Sequence, residues 1–287
     1  AFYSEKDLFS IDLFLANAAS GRIIRKLSST VHDNEIDALN FIESAGTWSP
    51  DSKQFAFVAF SKGKNKLLIV DVFDEKLVKE FLIPGVPSFN YPAWSPDGET
   101  IVVSGLVEGV NDLYSYNLKT GDVKKLTNDN WCNIHPSWSP DGRYLVFSTD
   151  RPTEVDKKSG RKVGYYIATY DTQTGITKVL PFFSGAENLN PMFSSNGKSI
   201  YFLSNSDGFR NLYSYNLATG EVFRQTRILT GIMGMTPLAP AMSLARETNE
   251  ITYSYYFNGH YSIFTADTID FAPVKVNPDS VDFTASI

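Results

Sequence analysis

Few side chains in this sequence have the type and spacing that metal or nucleophilic chemistry requires. The three histidines, His32, His135 and His260, are far apart, and no pair has the HxH or HxxxH spacing of a metal site. The single cysteine, Cys132, excludes a CxxC redox pair and a disulfide within the sequence. The sequence contains neither a G-x-S-x-G nucleophile elbow nor a glycine-rich phosphate loop. We therefore predict that the protein is not an enzyme and has no catalytic residues, metal site or cofactor.

Composition narrows the possible partners. The 287 residues include 26 basic and 32 acidic side chains, a net charge of −6, without a long basic cluster. This balance argues against a nucleic-acid partner. No apolar run approaches the ~20 residues needed to cross a bilayer, so direct membrane insertion is not expected. With 43% hydrophobic and 14% aromatic residues, the chain can bury a substantial core.

The sequence contains an internal repeat. Its anchors are Trp48-Ser49-Pro50-Asp51, Trp94 to Gly98, Trp138 to Gly142, a weaker Phe193 to Gly197 and a still weaker copy at Leu244. Successive anchors lie 46, 44, 55 and 51 residues apart. The glycine of a Thr-Gly pair lies 27 residues after Trp94 and after Phe193, and 37 residues after Trp138. Repeats of 40 to 50 residues indicate a propeller or a linear array.

Each repeat has the pattern of four short antiparallel strands, here called A to D. Runs such as Ile101–Ser104 and Asn111–Tyr116 are rich in β-branched and aromatic residues or alternate in polarity. The Ser-Pro-Asp-Gly sequence suits a tight turn between strands A and B, and Thr-Gly suits a turn between strands C and D. The repeated residues therefore build blades. We predict an all-β fold of six four-stranded blades in one domain over residues 1–287.

The combination of a Trp-Ser-Pro-Asp-Gly turn, an Asn/Asp-Leu-Tyr strand and a Thr-Gly turn resembles the WD40-like (PD40) repeat of the TolB family. The resemblance extends from about residue 7 to 270. It implies a six-bladed propeller that is periplasmic or secreted and binds other proteins. Related propellers are accessory domains of proteases or parts of larger envelope proteins.

The repeat also predicts where the blades lie and how they close. The six blades are expected near residues 1–30, 45–80, 90–128, 134–181, 190–227 and 240–276. The first blade begins near its strand B and lacks strand A. Residues 273–276 are expected to form the fourth strand of the last blade, and residues 281–285 to supply the missing strand of the first. The start within a blade favours a fragment of a longer polypeptide.

Three residues are candidates for binding at the predicted mouth of a central channel. Tyr91, His135 and Asn190 each precede a proline and, by the repeat, each precede strand A. A ring of polar and aromatic groups at this position suits a peptide or a sugar. The alternative is a hydrated funnel without a ligand.

Two connections between strands are candidate interfaces. The segment 228–242 holds three of the four methionines, and we single out Met233, Met235 and Leu238 because flexible apolar side chains suit adaptable interfaces. Its alternative role is to cover the channel mouth or pack beneath a neighbouring blade. The insertion 151–162 contributes the basic residues Lys157, Lys158 and Arg161, which suit an acidic partner or a solvated loop.

The sequence therefore predicts a non-catalytic scaffold that binds a protein or peptide partner in the cell envelope. The partner is either a separate molecule or another domain of the same polypeptide. One alternative is a carbohydrate-active propeller similar to polyuronate lyases, which would use the face that carries the histidines. Another is an accessory or gating domain of a larger protease or outer-membrane protein.

Overall fold

The chain forms six antiparallel sheets, three in each of two compact units. The computed structural model describes residues 1–6, 10–29, 36–74, 76–153, 156, 164–228 and 230–286. The first unit is Ala1–Asn128 and the second is Asp129–Ile287. Six antiparallel sheets confirm the predicted all-β class and the predicted number of blades. In the described part of the chain, no helix is long and apolar enough to span a bilayer.

The first unit contains sheets of three, five and four strands. The first sheet has the order β1-β2-β3, and the third has the order β12-β11-β10-β9. In the second sheet, two short strands, β4 and β5, pair with the same edge of β6. The strands β7 and β8 follow on the other side of β6. The strands are β1 (Phe2–Ser4), β2 (Asp12–Ala16), β3 (Ile23–Ser29), β4 (Ala38–Leu39), β5 (Thr47–Trp48), β6 (Gln54–Ser61), β7 (Lys64–Asp71), β8 (Leu77–Phe81), β9 (Ser88–Trp94), β10 (Thr100–Val107), β11 (Val110–Asn117) and β12 (Val123–Lys125).

The second unit contains sheets of four, five and three strands. Their orders are β13-β14-β15-β16, β17-β18-β19-β20-β24 and β21-β22-β23. The strands are β13 (Asn133–Trp138), β14 (Tyr144–Thr149), β15 (Tyr166–Asp171), β16 (Thr177–Val179), β17 (Asn188–Phe193), β18 (Ser199–Ser204), β19 (Asn211–Asn216), β20 (Val222–Arg224), β21 (Met242–Leu244), β22 (Glu250–Phe257), β23 (His260–Asp267) and β24 (Val274–Val276). Two short 3-10 helices, Thr268–Asp270 and Thr284–Ser286, flank β24.

The repeated turn has the structural role that its sequence predicts. In the third sheet, the Ser95 hydroxyl donates to Asp97 Oδ1 (2.5 Å) and accepts from the Thr100 N–H (3.0 Å). The Glu99 N–H donates to the same Asp97 oxygen (2.9 Å). These bonds, that from Ser95 first, hold the pKa of Asp97 below its ordinary value. The same arrangement recurs at residues 49–54, 139–144 and 194–199.

The hydrophobic core of each unit lies between adjacent sheets. Trp94, at the end of β9, is buried with residues of β6, β7 and β11, and its Nε1 donates to the Gly98 carbonyl (3.1 Å). In the second unit, Phe182, Phe202 and Tyr213 form a buried aromatic cluster. The aromatic-rich composition therefore fills the space between sheets that pack face to face.

The predicted closure of the last and first blades was wrong. Strand β24 pairs with β20, with Val222 opposite Val276, and so adds a fifth strand to the preceding sheet instead of completing its own. Residues 284–286 form a 3-10 helix, and the Asp282 N–H donates to the Ser206 carbonyl (2.8 Å), so this tail supplies no strand to the first sheet. Among the described residues the first sheet has three strands, which agrees with the predicted absence of strand A.

Candidate interaction site

Tyr91, His135 and Asn190, called here the bulge residues, share an unusual backbone conformation. Their φ angles are 52°, 56° and 51°, in the left-handed region that non-glycine residues seldom adopt. The pairing register of β9, β13 and β17 shifts beside each of them, which is the sign of a β-bulge. They thus lie within the first strand of their sheets, not before it as the sequence predicted. The bulge recurs at the same position of the first strand in three sheets, and a bulge redirects the side chain that it carries.

In the second unit the bulge residues join neighbouring sheets by hydrogen bonds. The Asn190 N–H donates to His135 Nδ1 (3.4 Å), and the Ala241 N–H donates to Asn190 Oδ1 (3.2 Å). His135 Nε2 lies 2.9 Å from the Leu238 carbonyl oxygen. Because Nδ1 accepts a hydrogen bond, the proton of a neutral imidazole is assigned to Nε2, which donates to Leu238.

His135 is a buried, neutral histidine. Its residue is only 5% exposed, and burial lowers its pKa from 6.5 to about 4. The bond to Leu238 opposes this shift, whereas the charge of Arg210 adds to it. Asn190 is equally buried. Both side chains are therefore committed to contacts between strands, and a ligand at this position would meet them only after rearrangement.

Tyr91 belongs to the first unit and is half-buried. There the preceding residue, Asn90, makes the contacts between sheets. The Asn40 amide donates to Asn90 Oδ1, and the Asn90 amide donates to Glu43 Oε2 (2.8 Å). The structure brings His135 and Asn190 into direct contact, and binding by the three bulge residues stays a prediction.

The connection between β20 and β21 carries the predicted methionine interface. Residues 230–241, called here the Met loop, are held by backbone bonds on both sides. The Ile232 N–H donates to the Arg210 carbonyl (2.7 Å), and the Met233 N–H donates to the Ser254 carbonyl (3.2 Å). The Ser254 hydroxyl returns a bond to the Met233 carbonyl (2.6 Å). The loop thus has a defined path over β22.

The Met loop divides its apolar side chains between the core and the surface. Ile232, Ala239 and Ala241 are buried, and Ile232 and Ala241 pack with residues of β18, β19 and β22. Met233 and Met235 are 42% and 57% exposed, and Leu238 is half-buried. The loop therefore packs beneath its neighbours, as one alternative predicted, and also presents two methionines at the surface, as the other predicted.

The basic candidates of the insertion, Lys157, Lys158 and Arg161, lie outside the described residues. Sequence reasoning missed Asp156, which anchors this insertion. Asp156 is 2% exposed and accepts hydrogen bonds from the hydroxyls of Tyr166 and Ser184, both 2.6 Å. Burial raises its pKa, but these bonds and those of Thr153 outweigh burial and hold the pKa below its ordinary value. An aspartate three positions after Thr153 in a segment with more basic than acidic residues was the available signal.

Metal chemistry finds no support in the part of the chain that the structure describes. Within residues 1–286, excluding the undescribed gaps, no group of three His, Cys, Asp or Glu side chains is placed to hold a metal ion. His260 is exposed beside the turn between β22 and β23, and His32 lies outside the described residues. The neutral imidazole of His135 uses its two nitrogens within the fold, as a donor to the Leu238 carbonyl and an acceptor from the Asn190 N–H.

Comparisons with known proteins find similarity to the TolB propeller. A family model for the TolB beta propeller domain matches residues 40–156. The Tol-Pal system protein TolB of Francisella tularensis subsp. holarctica is 33% identical over 235 residues, covering 77% of this chain and 50% of the relative. The chain thus spans about half the length of the Francisella relatives that it matches.

Two solved structures share the fold. TolB from Acinetobacter baumannii superposes with a TM-score of 0.68 at 20% identity, covering 96% of this chain and 61% of that chain. A putative TolB from Agrobacterium tumefaciens superposes with a TM-score of 0.70 at 20% identity, covering 93% of this chain and 87% of that chain. At this identity, the likeness concerns the fold alone.

Proposed function

Since the chain is a TolB-like six-bladed β-propeller, we propose that it is a non-catalytic scaffold that binds a protein or peptide partner in the cell envelope. The Met loop carries this proposal, because it combines a fixed backbone with exposed methionines. The Tol-Pal names of the relatives support a protein-interaction role in preference to an enzyme. They also support a periplasmic location.

The Met loop has the physical properties of a recognition surface. Met233 and Met235 extend from a backbone that Ser254 and Arg210 hold on either side. Exposed methionine side chains adapt their shape to a partner and gain contact area on binding. The fixed backbone limits the conformational entropy lost when a partner binds. A protein surface with apolar groups opposite this loop is therefore the expected ligand.

A binding assay with matched variants tests the proposal. The wild-type chain and the double variant Met233→Ser, Met235→Ser are immobilised and exposed to an envelope extract, and each captured protein is then titrated as a purified component. We expect a specific partner to bind the double variant about tenfold or more weakly, because central apolar anchors contribute most of the energy of an interface.

Ile176→Ser is the matched control, since Ile176 is 64% exposed in a turn between strands C and D. This variant loses a comparable apolar surface on a different connection and should bind like the wild type. Equal loss in both variants, or no loss in either, would contradict the Met loop as the site.

The lyase-like alternative is not favoured. His135 is buried and is bonded through both ring nitrogens to backbone groups. A base that abstracts a proton needs an accessible ring nitrogen within reach of the substrate. The role of accessory domain to a protease or barrel stays a prediction. Whether the polypeptide made in the cell also contains such a protease or barrel would decide it.

A further inference from the structure

The outer edge of β23 differs from that of the equivalent third strand in the third, fourth and fifth sheets. In the third, fourth and fifth sheets, the strand equivalent to β23 pairs with a short fourth strand, namely β12, β16 or β20. Among the described residues, β23 pairs only with β22. Asp267 lies opposite the first residue of β22, as Asn117 lies opposite the first residue of β10. This equivalence identifies the residues of β23 that a fourth strand would pair with.

A change in the turn explains why β23 has no fourth strand from its own repeat. In the third sheet, Asn117 Oδ1 accepts from the Lys119 and Thr120 N–H groups, and Gly121 follows with a φ of 78°. After Asp267 the chain has no glycine and forms a 3-10 helix, in which the Ile269 N–H donates to Asp267 Oδ1 (3.0 Å). The hairpin cannot close, and the chain continues to β20 of the preceding sheet.

The edge of β23 exposes apolar side chains that are buried in the other sheets. Ile263 and Phe264 are 54% and 42% exposed, whereas their equivalents Leu113 and Tyr114 are 0% and 7% exposed. An exposed apolar strand with a free edge is the usual template for the addition of another strand. Proteins avoid such edges unless something pairs with them.

The backbone of β23 shows how a strand would be bound. In the third sheet, the bonds at the two ends of β12 show the pattern. The Asn117 N–H donates to the Asp122 carbonyl, and the Leu126 N–H donates to the Leu113 carbonyl. The equivalent residues are Asp267 and Ile263. Because alternate residues of a strand point to the same edge, Thr265 faces this edge as well.

The other fourth strands define the chemistry of the occupant. In the third, fourth and fifth sheets they combine a β-branched first residue with a basic residue in the sequences Val123-Lys124-Lys125, Thr177-Lys178-Val179 and Val222-Phe223-Arg224, whereas β8 of the second sheet is Leu-Val-Lys-Glu-Phe. Strand β24 is Val-Lys-Val, and it shows that a strand from elsewhere in the chain can add to a blade edge. There Lys275 Nζ lies 2.6 Å from Glu221 Oε1. Asp267 at the end of β23, whose Oδ1 also accepts from the Ile269 N–H, and Asp270 in the following 3-10 helix are the acidic residues that we expect to pair with a basic residue of an added strand.

We propose that the outer edge of β23, at Ile263, Thr265 and Asp267, binds an extended segment of a protein partner by strand addition. The segment alternates β-branched residues with a lysine, as Thr177-Lys178-Val179 of β16 and Val-Lys-Val of β24 do. This inference rests on the proposed function only in taking the occupant to be a partner protein. It concerns residues other than the exposed methionines, although Tyr261 at the start of β23 donates to the Gly234 carbonyl of the Met loop (3.3 Å).

Hydrogen exchange on the full chain tests the proposal. The probe is a synthetic peptide with the sequence of residues 272–278, Ala-Pro-Val-Lys-Val-Asn-Pro. We expect it to slow exchange of the edge-facing amides at Thr265 and Asp267, which a fourth strand would cover. A peptide with glutamate in place of its lysine should bind about two- to fivefold more weakly, as expected for loss of one cross-strand charge pair.

Two variants separate strand addition from loose apolar contact. Thr265→Pro removes the N–H at the free edge, where proline is tolerated, and should weaken peptide binding about tenfold or more. Thr265→Val keeps the N–H and should bind like the wild type. Near-ultraviolet circular dichroism tests whether both variants are folded. If the proline variant is unfolded, the protection of Thr265 and Asp267 by the peptide in the wild type decides the proposal.

Three results would overturn the proposal. One is protection of Val222–Arg224 in place of β23, which would mean that the peptide replaces β24. Another is equal binding to the proline and valine variants. The last is protection of Thr265 without any peptide in the polypeptide as the cell makes it, because the chain would then close its own edge. The double methionine variant should bind the peptide normally, so failure here and failure of the proposed function are distinguishable.

Discussion

The third sheet, β9 to β12, and the last sheet, β21 to β23, come from the same repeat but differ in completeness. The third sheet has Trp94 buried at the end of its first strand, a Ser-Pro-Asp-Gly turn and a glycine turn before its fourth strand. The last sheet has half-buried Leu244 and exposed Ala245 at the positions equivalent to Trp94 and Ser95, and no fourth strand of its own within the described residues. A blade therefore keeps its first three strands after its signature residues are lost, but it keeps its fourth strand only with the turn.

The last sheet compensates through its neighbours. The Met loop, which leads into β21, is held by Arg210 and His135 of the two preceding sheets. Ala241 is held by Asn190. Both sheets are bonded to their neighbours, the third through Asn90 and the last through the Met loop, but only the third also has the turn bonds of Ser95. The predictions below test this contrast in order of expected effect.

Trp94→Ala should cause the largest loss of stability. Removal of this 3% exposed side chain leaves a cavity between two sheets and should lower the free energy of unfolding by about 3–5 kcal/mol. Leu244→Ala, at the equivalent half-buried position, should cost roughly half as much because less area is buried. Urea unfolding followed by fluorescence and circular dichroism measures both. Equal costs would mean that the two sheets do not differ in their dependence on this residue.

His135 should make the second unit sensitive to pH. Its pKa is about 4 in the folded protein and 6.5 ordinarily, so the unfolded chain binds the proton first as the pH falls. Its contribution to stability is complete above pH 6.5 and is lost on going down to pH 4, an effect of about 3 kcal/mol.

His135→Asn is the matched variant for this prediction. Asparagine keeps an acceptor for the Asn190 N–H, as Asn190 itself does for Ala241, but it has no titratable group. The difference in unfolding midpoint between wild type and variant should therefore change between pH 7 and pH 4. A constant difference between the two unfolding midpoints over this pH range would show that His135 does not stay neutral in the fold.

Ser95→Ala should have an intermediate effect. The substitution removes the acceptor for the Thr100 N–H and the donor to Asp97, and should cost about 1–2 kcal/mol in urea unfolding. Ala245→Ser, at the equivalent position of the last sheet, should change stability little, since Glu247 stands where the turn has aspartate. A stabilising Ala245→Ser variant would show that the turn tolerates the longer acid.

Lys275→Gln should have the smallest effect. The Lys275–Glu221 pair between β24 and β20 is exposed on both sides, so water already screens it. We expect no resolvable change in the thermal midpoint, whereas Val276→Ser on the same strand should lower it because Val276 packs against the core of the sheet. A large effect of Lys275→Gln would mean that charge, not packing, holds β24 in place.

Local signals in the sequence were sufficient for most of the blade architecture. Ser95, Pro96, Asp97 and Gly98 bond within one turn, so their types alone reveal the hairpin. His135 was recognised as a repeated residue before a proline, but neither its place in a bulge within β13 nor its burial was foreseen, because Leu238 and Asn190 contact it from distant parts of the chain. The anchoring of the insertion by Asp156 was missed for the same reason.

The sequence by itself determined the all-β class, the six blades, their turns and the likeness to TolB, since each depends on residues a few positions apart. Only the tertiary structure decided that β24 joins β20, that His135 is a neutral link between sheets, and that the edge of β23 is open. These depend on which distant strands compete for one set of backbone hydrogen bonds. A pattern that repeats along the chain cannot specify that outcome, because the same Val-Lys-Val strand is suited to either edge.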